Sequence, residues 1–229
     1  MESRKLVIIG GDAAGMGAAS KVRREHPERE IVVFERGNHT SYAACGMPYY
    51  IAGQVESSEE LVARSPGVFR EKQNIDVRIR HEVLDIDPGS KRVKVRNLSK
   101  GEEFWEDWDD LLIATGASAI LPDLPGVDAA GVFALSTLQT GIDAFEDMQT
   151  HKPSKAVIIG GGYIGIEMAE ALLARGMEVT VVDMADQVMS TMDKDMADRI
   201  AEVMEKDGIH LYLKEKLRQV DKDTQGRVA

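Results

Sequence analysis

The 229 residues leave room for one large domain or two small ones, and 43% hydrophobic with 29% charged residues is an ordinary soluble composition. A net charge of -11 disfavours nucleic acid as a partner, and no apolar run approaches the roughly 20 residues of a membrane span. A single cysteine excludes an internal disulfide framework, and the N-terminus enters a charged strand with no signal-peptide layout, so a cytoplasmic protein is expected.

Lys5 to Gly10 is a near-continuous apolar run and predicts a buried parallel strand. Gly10, Gly11, Asp12, Ala13, Ala14 and Gly15 form a tight turn, and Met16 to Arg24 follows as a helix. Small residues Gly17, Ala18 and Ala19 allow that helix to pack closely on a sheet. Ile31 to Glu35 is a second strand that ends in an acid 20 residues past Gly15. Strand, glycine turn, helix, strand and acid make up the dinucleotide-binding βαβ unit. One position departs from G-x-G-x-x-G: the middle glycine is Asp12. A carboxylate beside a bound pyrophosphate is expected to turn away, or to meet a water or cation.

Thr40 to Tyr50 carries Cys45, the only cysteine. Small residues precede it, and Gly46-Met47-Pro48 follow, as at the mouth of a helix whose first turn tolerates proline. The backbone N–H groups and dipole at a helix N-terminus favour a thiolate. On the residues alone, a reactive thiol and a buried structural one stay equally open. Ser65 and Pro66 then predict the cap and first position of a helix. Ile75–Arg80 and Val93–Arg96 alternate strictly, with a turn signal at Asp87-Pro88-Gly89-Ser90 between them. Phe104, Trp105 and Trp108 continue a small antiparallel sheet, expected to cap the dinucleotide fold. Asp110 to Ile113 returns to a buried strand and ends in the small-residue turn Ala114-Thr115-Gly116. A proline-containing connection at 121–126 marks a domain boundary.

The second half repeats the opening. Ala156 to Gly160 is a strand, and Gly160-Gly161-Gly162-Tyr163-Ile164-Gly165 is a complete G-x-G-x-x-G. A helix from about Ile164 to Arg175 stops at Gly176, and Glu178–Val182 is a strand followed by Asp183. An acid at 183 favours a free ribose 2′-hydroxyl, hence NADH over NADPH. Asp193 to Asp207 reads as a helix with Met196, Ile200, Val203 and Met204 on one face, and Ile209–Leu213 as a strand. The fold class is therefore α/β, with two Rossmann-like units and a small antiparallel insert. Two units argue for two nucleotides, a flavin and a nicotinamide, with the flavin between the hydride donor and the thiol.

These motifs resemble the N-terminal half of the flavin-dependent pyridine nucleotide-disulfide oxidoreductases, over essentially the whole chain. Ser41-Tyr42-x-x-Cys45-x-x-Pro48-Tyr49 is similar to the S-F-x-x-C-x-x-P-Y of the single-cysteine branch, with Tyr for Phe. That branch includes coenzyme A-disulfide reductases, NADH oxidases and persulfide reductases. The resemblance implies Cys45 as redox nucleophile, acting through a mixed disulfide with coenzyme A or a persulfide. It implies FAD at Gly10–Gly15, Glu35, Arg36 and Ala114-Thr115-Gly116. It implies a nicotinamide dinucleotide at Gly160, Gly162, Tyr163, Ile164, Gly165 and Asp183, and coenzyme A contacts at Arg24 and Ser41. Lys21 and Arg23 on the same helix are either further phosphate contacts or a solvated face. Ala13 stands where peroxidase-type members carry a histidine, which points away from peroxide and toward disulfide or persulfide exchange. No metal site is assigned.

The resemblance also implies a Gly-Asp flavin segment, a C-terminal dimerisation domain and a homodimer in the full-length form. The only Gly-Asp pair here is Gly11-Asp12. The expected layout is an incomplete FAD-binding domain at 1–118, a connection at 119–152 and a shortened NAD(P)-binding domain at 153–229. A dinucleotide-binding fragment without turnover, and an NADH oxidase, are the rival expectations.

Overall fold

A computed structural model describes residues 4–229. The strands are β1 Lys5–Ile9, β2 Glu30–Glu35, β3 Asp76–Ile79, β4 His81–Asp87, β5 Arg92–Asn97, β6 Glu102–Asp107, β7 Asp110–Ile113, β8 Lys155–Ile159, β9 Glu178–Asp183 and β10 His210–Leu213. The helices are α1 Ala13–Glu25, α2 Met47–Ala52, α3 Pro66–Gln73, α4 Leu138–His151, α5 Tyr163–Ala174 and α6 Lys194–Lys206. Contacts divide the chain into two units, residues 1–44 with 59–118, and residues 45–58 with 119–229.

The first unit is a parallel sheet in the order β3-β2-β1-β7. Its central strands are apolar on both sides because both faces are covered. On one face Leu6, Ile8, Ile31, Val33 and Val77 pack with Met16 and Ala19 of α1 and Phe69 of α3. On the other, Val7, Ile9, Val32 and Phe34 pack beneath Val93 and Val95 of the antiparallel sheet β4-β5-β6. Phe34 is fully buried there, which contributes about 2–3 kcal/mol. The insert thus caps the dinucleotide fold as the sequence predicts.

Its membership differs from the reading in one respect. The alternating run at 75–80 supplies β3, which pairs in parallel with β2. The hairpin partner of β5 is β4, joined through Asp87–Ser90. Helix α3 gives the chain the crossover that parallel pairing needs. Arg80, at φ 59, then turns the chain from one sheet into the other.

The second unit has a parallel sheet in the order β10-β9-β8. Val179 and Val181 of β9 are buried, as are Ala169 and Leu172 of α5 and Ala197 and Met204 of α6. The predicted apolar face of α6 is corrected: Met204 is buried, but Met196 and Val203 are exposed. The row Ala197, Ile200 and Met204, spaced at i, i+3 and i+7, is the inward one. The connection at 119–152 is not all loop. It holds α4, whose Thr137 side chain caps the Thr140 N–H while the Thr140 hydroxyl accepts the Thr137 N–H. The last residues fold back on this region. Val220 and Val228 donate to the carbonyls of Pro125 and Ala130, and Arg227 forms a two-pronged ion pair with Asp147 of α4. Among the described residues no helix is long and apolar enough to cross a membrane.

Candidate functional site

Both glycine turns are built alike. Gly10 and Gly160 take φ 109 and φ 110, which an L side chain rarely adopts, and donate to Phe34 O and Val182 O at 2.8 Å each. A Cβ on Gly15 or Gly165 would lie 1.9 Å from the carbonyl oxygen of Gly10 or Gly160. These glycines therefore let the helix start close against the strand. The acids close each turn from the neighbouring strand. Glu35 accepts the Gly11 N–H at 2.7 Å and the Gly37 N–H at 2.7 Å. Asp183 accepts the Gly161 N–H at 2.6 Å and the Ala185 N–H at 2.8 Å.

The helices that leave these turns have no side-chain cap and no acid in their first turn. By contrast, α3 and α4 are capped by Ser65 and Thr137. At α5 the first N–H groups are thus left to an anion, as a dinucleotide pyrophosphate requires; at α1 the Asp12 carboxyl meets the Ala13 N–H and the N–H groups after it are left. Ala114 supports the first turn from β7: its N–H donates to Ile9 O at 2.8 Å, and a Cβ on Gly10 would stand 2.1 Å from its carbonyl oxygen. Gly116 lies just beyond in the left-handed region, and Arg36 reaches Ser118 Oγ at 3.1 Å. At the second turn Tyr163 and Ile164 are exposed.

The Asp12 carboxyl finds its partner in the protein. Its Oδ1 accepts the Tyr42 N–H at 3.2 Å, while Ser41 N–H donates to Gly11 O at 3.2 Å. The segment that leads to Cys45 is therefore strapped to the first turn, and Ser41 takes a left-handed φ of 50 to allow it. Burial pushes the Asp12 carboxyl above its ordinary range; the Tyr42 and Ala13 N–H groups pull the other way, and Glu35 adds to the rise.

Cys45 lies in the single turn Ala44–Gly46 that runs into α2, and it is exposed. Exposure removes the buried structural reading of the thiol. Pro48 sits in the first turn of α2, as expected.

Arg24 and Ser41 line one cavity of about 390 Å³, together with Ala13, Ser20, Phe69 and Arg64. Among the described residues no carboxylate lines it. Sequence reasoning does not single out Arg64, because it lies beyond β2 and α2 from Arg24 and nothing local distinguishes it from other surface arginines. Lys21 and Arg23 are not part of this cavity. Lys21 pairs with Glu25 at 2.5 Å, and Arg23 donates to the carbonyls of Pro27 and Asn74.

The fold and site define a class: a protein with two dinucleotide-binding βαβ units, one exposed thiol, and an arginine-lined cavity beside the first turn. The chain belongs to the pyridine nucleotide-disulphide oxidoreductase family, whose sequence profile matches residues 4–229. It is 41% identical over 195 residues to a Pyrococcus furiosus NAD(P)H sulfur oxidoreductase (CoA-dependent), covering 85% of this chain and 43% of that protein. It is 35% identical over 193 residues to a Staphylococcus haemolyticus coenzyme A disulfide reductase, covering 83% and 43%. The solved structure of reduced Bacillus anthracis CoADR-RHD superposes with a TM-score of 0.94 at 34% identity, covering 100% of this chain and 42% of that one. The chain thus spans less than half the length of these relatives.

Proposed function

We propose that this chain carries the dinucleotide sites and redox thiol of an FAD-dependent NAD(P)H oxidoreductase that reduces coenzyme A disulfide or a related persulfide. The observation that carries the reading is a cavity bearing Arg24, Arg64 and Ser41, with no carboxylate lining it among the described residues, together with an exposed Cys45 four residues along the chain from Ser41. In a chain of net charge -11, two arginines without a lining carboxylate suit the phosphates of coenzyme A. The names of the related proteins agree with this substrate class.

FAD fits the first turn through its uncapped α1, its close-packed glycines and Glu35, and a nicotinamide dinucleotide fits the second through α5 and Asp183. The Asp183 carboxylate repels a 2′-phosphate and accepts from a ribose hydroxyl, so NADH is the preferred donor. When bound, FAD supplies the two-electron relay from nicotinamide to sulfur. The Cys45 thiolate attacks one sulfur of coenzyme A disulfide, forming a Cys45–coenzyme A mixed disulfide and releasing one coenzyme A thiolate. Two electrons from NADH then cleave the mixed disulfide, releasing the second coenzyme A and regenerating the Cys45 thiolate. One NADH and one proton are consumed for two thiols formed.

The test follows NADH oxidation by the FAD-loaded chain with coenzyme A disulfide and with pantethine, which lacks the nucleotide phosphates. Arg64→Ala and Arg24→Ala should each raise KM for coenzyme A disulfide about tenfold, the value of one charge-assisted contact, and leave KM for pantethine unchanged. Cys45→Ser should abolish turnover of both while NADH still binds. Equal effects on the two disulfides, or turnover without Cys45, would sink the reading.

A further inference from the structure

Arg175 follows the last residue of α5, the helix that begins at the second glycine turn. Its guanidinium forms no ion pair among the described residues. Nε donates to Ile51 O, near the end of α2, at 2.6 Å. The guanidinium carbon lies 4.9 Å over the Phe145 ring of α4, and Phe145 packs on Tyr50 of α2 with 4.5 Å between ring centroids. Gly53, left-handed at φ 81, caps α2 against the same group; a Cβ there would come within 3.1 Å of Arg175 Nη2.

Each contact has a physical reason. The last carbonyls of a helix have no intrahelical partner, and the partial negative charge there favours a cation. With six residues, α2 is far too short to be stable by itself. It is held from outside: Tyr50 and Ile51 are buried, and Met47 lies against Gly141, where an added Cβ would meet Met47 Sδ at 3.2 Å. The turn Ala44–Gly46 that presents Cys45 runs directly into this helix.

We propose that Arg175 is a positioning residue for Cys45: by holding the far end of α2 it fixes the turn that presents the thiol. The inference rests on the reading of Cys45 as the redox nucleophile. It ties the placement of that nucleophile to the end of the helix that starts at the nicotinamide turn, within one compact unit.

The experiment compares Arg175→Met, Arg175→Lys and Phe145→Leu with the wild-type chain. It reads kcat and KM in the FAD-loaded protein, the iodoacetamide reaction rate of Cys45, and deuterium exchange across residues 46–55. Arg175→Met should lower kcat about tenfold, with KM for NADH within about twofold, and should speed exchange of the α2 amides about tenfold. Lysine retains a donor for Ile51 O and a cation over Phe145, so Arg175→Lys should recover to within about threefold of wild type. Phe145→Leu should fall between them. Wild-type exchange and alkylation in Arg175→Met overturn the proposal, and so does a matching loss of NADH affinity, which would make Arg175 a general support of α5. If the wild-type chain itself does not reduce the disulfide, the functional reading fails, and the exchange and alkylation results still decide the role of Arg175.

Discussion

β1 and β8 are almost the same strand. One reads Lys5-Leu6-Val7-Ile8-Ile9 and the other Lys155-Ala156-Val157-Ile158-Ile159, and each runs into a glycine turn of the same geometry. Their environments are opposite. Ile9 is 8% exposed and Val7 fully buried, whereas Ile159 is 53% exposed and Val157 64%. β1 lies between β2 and β7 and beneath the insert, while among the described residues β8 pairs only with β9 and carries no sheet on its outer face. The lesson is that an apolar strand sequence specifies a strand that can be buried on both faces, and the elements around it decide how far it is. The difference reaches the turn itself, since Ala114 stands against Gly10 and no described residue comes within 4 Å of a Cβ on Gly160.

Substitutions in matched pairs break this comparison. The largest effect is expected at the first glycines. Gly10→Ala meets both an unfavourable φ and the Ala114 carbonyl, and should cost at least about 4 kcal/mol or prevent folding of the first unit. Gly160→Ala meets only the φ penalty, about 1–2 kcal/mol. Unfolding followed by hydrogen exchange in each unit reads the two separately; equal losses would mean the backbone conformation alone sets the cost.

Next come the strands. Ile9→Ala should destabilise by about 2–5 kcal/mol and Ile159→Ala by less than about 1 kcal/mol, measured by denaturant unfolding. A comparable loss at Ile159 would show that the outer face of β8 is covered in solution.

The smallest effect sharpens the one difference in charge between the turns, Asp12 against Gly162. The raised pKa of Asp12 means that the folded chain favours the protonated carboxyl. Its stabilising contribution is complete below the unfolded value of about 3.9 and is lost as pH rises through the raised folded value. Asp12→Asn keeps an acceptor for the Tyr42 N–H without the buried charge. It should raise Tm by about 1–2 °C near neutral pH and leave it unchanged at about pH 3. A fall in Tm at neutral pH would show that the charge itself strengthens the strap on Tyr42.

The amino-acid sequence by itself determined the strands other than β4, the glycine turns, the helices that follow them, the closing acids Glu35 and Asp183, and the single thiol. All of these depend on local spacing: a glycine is needed where φ is positive, and an acid at a strand end can reach back to its own turn. Tertiary structure decided what depends on distant neighbours. It joined β3 to the parallel sheet, put Ala197 in place of Met196 and Val203 on the inward row of α6, and set Asp12 onto Tyr42. It brought Arg64 to the cavity of Arg24, and it placed the helix after Cys45 with α4 and α5, far along the chain. No local pattern encodes these, because a side chain's burial and partners are set by which surfaces the folded chain brings against it.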